Sequence, residues 1–426
     1  MAWAPTVPGP CPTSGTENVS AIHLAARMRR IKPSPSSAGA DRLAQLRREG
    51  RDIVSLLIGE PDFDTPEHIR RAGIEAIESG QTRYTQTAGT LALREAIAAK
   101  FERENGLRYE PRDIIVTVGA KHAIFNALSV SVEPGDEVVI PAPYWVSYPD
   151  MVLACDGTPV TVPCPESDGF LLTPQALESA ITPATRWLIL NSPSNPTGAA
   201  YNARQLRALA DLLLCHPQVM LLTDDIYEHI RFGSADNPHI VALEPRLRER
   251  TLVVNGVSKT YAMTGWRIGY AAGPTELIAA MDMLQSQSTS GACSVSQAAA
   301  LAALRSEPTF LAGWVATYQA RRDAALQRFN AIPGLRCSAP AGAFYLWVNC
   351  AGLIGKHTES GQRLDTDLDV ALYFLETAGV AVIGGTSYGL SPYFRVSIAT
   401  GIEVIEEACR RLAAAVAQLS DQGRPS

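Results

Sequence analysis

The chain of 426 residues lacks several features that would mark particular functions. Its eight cysteines, Cys11, Cys155, Cys164, Cys215, Cys293, Cys337, Cys350 and Cys409, stand singly with no C-x-x-C pair, so they read as reduced, mostly buried small hydrophobes. The seven histidines form no H-x-x-x-H, and Cys215-His216 has no second ligand pair nearby, so no metal site is expected. Positive charge is not in excess. With 37 Lys and Arg against 43 Asp and Glu, the net charge of −6 argues against nucleic acid or an anionic membrane as partner. No apolar run reaches the length of a membrane span. Residues 1–28 are rich in Pro, Ser, Thr and Gly and lack the basic start and apolar run of a secretion signal, so the expectation is a disordered extension on a cytoplasmic protein.

What is present is an ordinary globular composition, 46% hydrophobic and 19% charged, in a chain longer than one core usually supports. Helical spacing over 68–79, 90–105, 121–130 and 203–215 alternates with short apolar runs at 114–119, 136–141, 186–191, 219–224, 251–256 and 267–273. Several of these runs are continuous rather than alternating, the mark of strands covered on both faces. This predicts an α/β sheet, largely parallel, with ligand groups at the carboxyl ends of its strands. Beyond about residue 305 a long helix (308–331), three apolar runs (GAFYLWVNC, GVAVIGG, YFRVSIA) and a closing helix (403–419) predict a smaller α+β unit. The expected division is 67–304 for the large unit and 29–66 with 305–426 for the small one.

The strand ends carry the chemistry. The run at 114–119 ends in Gly119-Ala120-Lys121, where free N–H groups at a helix start suit a phosphate, although tight helix packing also calls for glycine. The run at 186–191 leads into NSPSNPTG with Asn195, and that at 219–224 ends in Asp224 with Tyr227 three residues on. An acidic residue in that place is also a common helix cap. TLVVNG leads to Ser258-Lys259, and Arg267 follows eight residues later. A lysine desolvated between core strands is pushed toward the free amine, the form a Schiff-base nucleophile needs.

NSPSNPTG, TDDIYE and SKTYAMTGWRIGY, in this order and spacing, resemble the fold-type I pyridoxal-phosphate enzymes. GEPDFDTP, TRYTQTAGTLALR, VTVGAKHAIFN, PYWVSYP and FRVSIAT narrow the resemblance to the aspartate-aminotransferase-like class I transaminases of the bacterial branch, over about residues 28–420. The resemblance implies a large domain with a mostly parallel seven-stranded sheet, a smaller α+β domain, and pyridoxal 5′-phosphate as cofactor. It implies Lys259 as the Schiff-base lysine, which then moves the substrate proton, with Asp224 facing the ring nitrogen and Tyr227 and Asn195 the ring's phenolic oxygen. Arg267, Ser258 and the Gly119-Ala120 backbone would hold the phosphate, and Trp145 would stack on the ring. Tyr84 resembles the tyrosine that reaches a neighbouring subunit's phosphate, which implies a homodimer with shared sites. Arg395, with Asn195 and Gly59 beside it, matches the clamp for the substrate α-carboxylate. Lys121 matches a lysine that contacts the cofactor region and the distal carboxylate of an acidic substrate.

The activity implied is ping-pong amino transfer from an L-amino acid, with aspartate or glutamate favoured and aromatic acids or prephenate also allowed, to 2-oxoglutarate. A lyase or synthase of the same fold would share every cofactor contact and remains the alternative. Asp225, Gly384 and Ile398 depart from the branch's usual Glu, Pro and Tyr, and they bear on substrate choice rather than on cofactor binding. Residues 385–389 fit the nucleophile-elbow pattern G-x-S-x-G, but Pro392 forbids the helix that motif needs.

Overall fold

The structure is a computed structural model that describes residues 22, 24–33, 35–233 and 237–421. Residues 1–21 and 23 of the expected N-terminal extension lie outside the described residues.

Seven strands form the large sheet. From edge to edge they are Ile114–Thr117, Gly269–Ala272, Thr251–Gly256, Met220–Asp224, Thr185–Asn191, Glu137–Ala142 and Thr158–Pro163. Gly269–Ala272 runs antiparallel to both its neighbours, and the other pairings are parallel. Alternate side chains of one strand enter different cores, as the pleat requires. Val253 packs with Leu93, Ile97, Leu209 and Ala303 on one face. Leu252 and Val254 pack with Ile124, Leu128, Ile278 and Met281 on the other. Every residue of Thr251–Gly256 is buried, which is why its sequence is apolar without alternation.

The edge strand Thr158–Pro163 was not among the expected runs. Its sequence TPVTVP carries two prolines, and all but Val162 are exposed or half-exposed, as the edge of a sheet permits. GVAVIGG, expected as one strand, is two short ones in different sheets. Val380–Ala381 pairs in parallel with Val54–Ser55, while Ile383–Gly384 pairs antiparallel with Tyr393–Ser397. That second sheet continues through Tyr345–Asn349 to Arg336–Cys337. Helices Leu311–Asn330 and Ile402–Val416 cover it through Phe329, Phe394, Val396, Ile405 and Leu412. The expected helix over 90–105 is α-helical over Leu91–Lys100 and closes in a wider π turn over Phe101–Asn105. Residues 385–388 form a 3-10 turn with no helix after it before the next strand, so the elbow pattern has no elbow.

Candidate active site

The parallel register brings the chemistry to one sheet edge. Asn191 pairs with Asp224 across neighbouring strands and Asp224 with Val254, so the segments after each strand emerge side by side. Asn195 follows the first, Tyr227 the second and Ser258-Lys259 the third. They open on a cavity of about 480 Å³. Of the residues singled out from sequence, Gly59, Ala120, Lys121, Trp145, Asn195, Asp224, Tyr227, Ser258, Lys259, Arg267 and Arg395 line it. Gly119 and Tyr84 do not, and Tyr84 is 95% exposed.

Lys259 Nζ donates to the Gly59 carbonyl at 2.5 Å. Burial pushes its ammonium down to about 8; the Glu60 carboxylate opposes this, while Arg395 and Arg267 add to it. Asp224 is buried, and desolvation raises its carboxyl to about 6 against the lowering effect of a hydrogen bond from Tyr148. That bond, Tyr148 Oη to Asp224 Oδ2, is 2.6 Å long. Asn191 Nδ2 donates to the Asp224 main-chain carbonyl at 2.7 Å and fixes the strand end. The Tyr227 and Tyr345 hydroxyls lie 2.8 Å apart, and burial carries the Tyr227 phenol well above its ordinary value.

Arg395 sits on the second sheet and is buried. Its Nη1 donates to Asn195 Oδ1 at 3.0 Å and its Nη2 to the Leu57 carbonyl at 2.7 Å. Its guanidinium lies 4.4 Å from the Tyr345 ring centre. Among the described residues its Nε has no partner, a costly state for a buried charged donor unless a ligand supplies the acceptor.

At the other end of the cavity, helix Ala120–Ser131 begins without a side-chain cap. The Gly119 N–H is already taken by the Thr117 carbonyl at 2.8 Å, so Gly119 is not the free donor it was expected to be. Its role is steric. It has φ +81°, and a Cβ there would strike the Arg267 guanidinium. A Cβ on Gly269 would likewise strike the Ala120 backbone. The two glycines thus let Arg267 and the helix start approach closely, an arrangement of donors that could hold an anion. Lys121 Nζ lies 4.8 Å from the Trp145 ring centre, and partial enclosure with the nearby Arg267 charge lowers its proton affinity.

Sequence reasoning missed Tyr148, Asn191, Tyr345, Glu60 and Thr264, of which all but Tyr148 line the cavity. Tyr148 had a signal, since it lies three residues after Trp145, close enough along the chain for the two rings to meet at the start of the helix. Asn191 had one too, as the polar end of an apolar strand.

Comparison with known proteins gives a consistent family. A family model described as aminotransferase class I and II matches residues 51–412. The solved aspartate aminotransferase of Rhizobium meliloti is 52% identical, with a TM-score of 0.92, over 94% of this chain and 100% of that one. The aspartate/prephenate aminotransferase of Cereibacter sphaeroides is 51% identical over 93% of this chain and 99% of its own length. The aspartate aminotransferase of Thermus thermophilus, solved with maleate, is 41% identical, with a TM-score of 0.86, over 92% and 99% of the two chains.

Proposed function

The chain belongs to the class I and II aminotransferases, and from that premise we propose that its cavity holds pyridoxal 5′-phosphate and exchanges the amino group of a dicarboxylic L-amino acid with 2-oxoglutarate. One observation carries this: a lysine pushed toward its free amine, a buried carboxylate and a buried arginine with a spare donor line the same cavity. The residues fit the cofactor. The glycine-backed cradle of Arg267 and the Ala120 helix start suits a phosphate, and Asp224 suits a protonated ring nitrogen.

When bound, pyridoxal phosphate supplies an aldehyde for amines and a ring that takes up the electron pair freed at the substrate Cα. The chain supplies the rest. Lys259 Nζ would hold the cofactor through its aldehyde and, as a free amine, would be the base that moves the substrate Cα proton. Arg395 clamps the α-carboxylate, its Nη1 kept in place by Asn195. Tyr227, tied to Tyr345, presents a phenol that keeps its proton and can donate to the ring oxygen. Trp145 would face the cofactor ring, and Lys121, beside it, would take the distal carboxylate.

A dicarboxylic donor is favoured by Lys121 and by the maleate in the Thermus thermophilus relative. The small unit (29–66 with 305–426) supplies Arg395 and the large one (67–304) Lys259, so substrate binding engages both. A homodimer belongs to the same proposal, with exposed Tyr84 reaching the partner's phosphate. So does a cytoplasmic place; among the described residues no helix is long and apolar enough to cross a membrane. The test is a donor panel with 2-oxoglutarate as acceptor. Aspartate or glutamate should give the highest kcat/KM, and a preference for neutral aliphatic donors would overturn the substrate assignment.

A further inference from the structure

Asp224 has two oxygens with unequal surroundings. Oδ2 receives the Tyr148 hydroxyl at 2.6 Å, whereas among the described residues Oδ1 receives only the Ile226 N–H at 3.4 Å. Tyr148 is 2% exposed and does not line the cavity that holds Lys259, so its hydroxyl acts on that cavity through Asp224. Its ring is held edge-on to Trp145, with centres 5.3 Å apart and planes at 86°, and it packs with Ile140, Trp187 and Leu222 behind the sheet edge.

We propose that Tyr148 is a positioning residue of this site: its hydroxyl holds Asp224 Oδ2, keeps the carboxylate ionised, and leaves Oδ1 for the cofactor's ring nitrogen. This rests on the pyridoxal-phosphate assignment above. The titratable groups facing Asp224 are Tyr148, Asp225, Tyr227 and Lys259. Burial raises Asp224 and the neighbouring Asp225 charge raises it further; Lys259 lowers it, and the Tyr148 hydrogen bond is the largest of the effects that lower it. The Tyr148 phenol is itself driven well above its ordinary value by burial and by Asp224, so it stays a donor throughout the working range. A neutral Asp224 could not keep a ring nitrogen protonated. The Tyr148 proton therefore helps decide whether the ring acts as an electron sink.

The test compares wild type with Y148F, which keeps the ring packing and removes only the hydroxyl. In the apoprotein, labelled for carboxyl carbon-13 NMR, Asp224 is expected to titrate near 6 in wild type and about one to two pH units higher in Y148F. In the loaded enzyme, the ring nitrogen-15 shift should move toward neutral pyridine, and kcat should fall about tenfold or more while KM for the donor stays within about twofold. In a D224N background, Y148F should leave the cofactor Kd unchanged. An unchanged Asp224 titration in Y148F, or an equal loss of cofactor affinity with and without Asp224, overturns the proposal. If wild type itself fails to bind pyridoxal phosphate, the function assigned above fails, and this inference falls with it. If wild type binds and Y148F titrates as wild type does, this inference alone fails.

Discussion

Two lysines flank the Tyr227-Glu228 step, and the chain treats them in opposite ways. Lys100 is 1% exposed and pairs with the Glu228 carboxylate, while donating to Asn105 Oδ1 at 2.8 Å. Glu228 also receives Asn105 Nδ2 at 2.7 Å and Asn255 Nδ2 at 2.6 Å. Burial alone would raise the Glu228 carboxyl, but the Lys100 and His229 charges and these hydrogen bonds carry it below the usual carboxylate range. Glu104, Glu228 and His229 stand close enough to hold an ion, yet the Lys100 ammonium occupies that role. Lys259, by contrast, has one carbonyl as hydrogen-bond partner among the described residues and is pushed toward its free amine. A satisfied buried network fixes structure, and an under-satisfied one is completed only by a ligand. The first region ties down the segment that follows Asp224 and Tyr227, and the second is where the proposed chemistry would take place.

If that contrast is right, mutations on the two sides should separate activity from stability. The largest effect is expected from K259A, which should lower kcat/KM on the order of 10⁴-fold or more. It should also leave the cofactor removable by dialysis, without lowering the apoenzyme's unfolding midpoint. Full turnover in K259A would end the account of the site. E228Q takes the nearer carboxylate from buried Lys100 and leaves it Glu104 at 3.5 Å, and it should cost roughly 1–3 kcal/mol in denaturant unfolding. If E228Q unfolds like wild type, the network is not the anchor proposed. R395L should lower kcat/KM for a dicarboxylic donor on the order of a hundredfold, mostly through KM. An effect confined to kcat would place Arg395 elsewhere than on the carboxylate.

The smallest effect is a pH dependence. Lys259 falls from the usual 10.5 to about 8 in the folded apoenzyme. Between those values the unfolded chain holds a proton that the native one has lost, so stability should rise with pH through about 8 to 10.5. Below about 8 that contribution is gone. Asp224, raised from 3.8 to about 6, acts in the opposite sense, and its contribution is lost as pH rises through about 6. K259M should remove the alkaline slope and leave the acidic one; a slope that persists in K259M belongs to another group.

Much of this was legible in the sequence, for physical reasons. A strand buried on both faces writes itself as a continuous apolar run, so Thr251–Gly256 and its neighbours, and with them Asp224 and Lys259 at the strand ends, could be read directly. The edge strand Thr158–Pro163 could not, because half-exposed residues and prolines carry no such signature. The role of Tyr148 was hidden for a different reason. A buried tyrosine reads as core until the position of its hydroxyl is known, and that hydroxyl meets Asp224 across 76 residues of chain. Gly119 read as a phosphate donor, and the structure shows a glycine that makes room for Arg267.

The most direct test of the central assignment is a single half-reaction. Enzyme loaded with pyridoxal phosphate is mixed with L-aspartate, or separately with L-glutamate, in the absence of any oxo-acid acceptor. Expected is one equivalent of oxaloacetate or 2-oxoglutarate released per site, with loss of the cofactor's long-wavelength absorbance and no free ammonia. Release of ammonia with pyruvate would mark a lyase, and no product from either donor would contradict amino transfer from a dicarboxylic acid at this site.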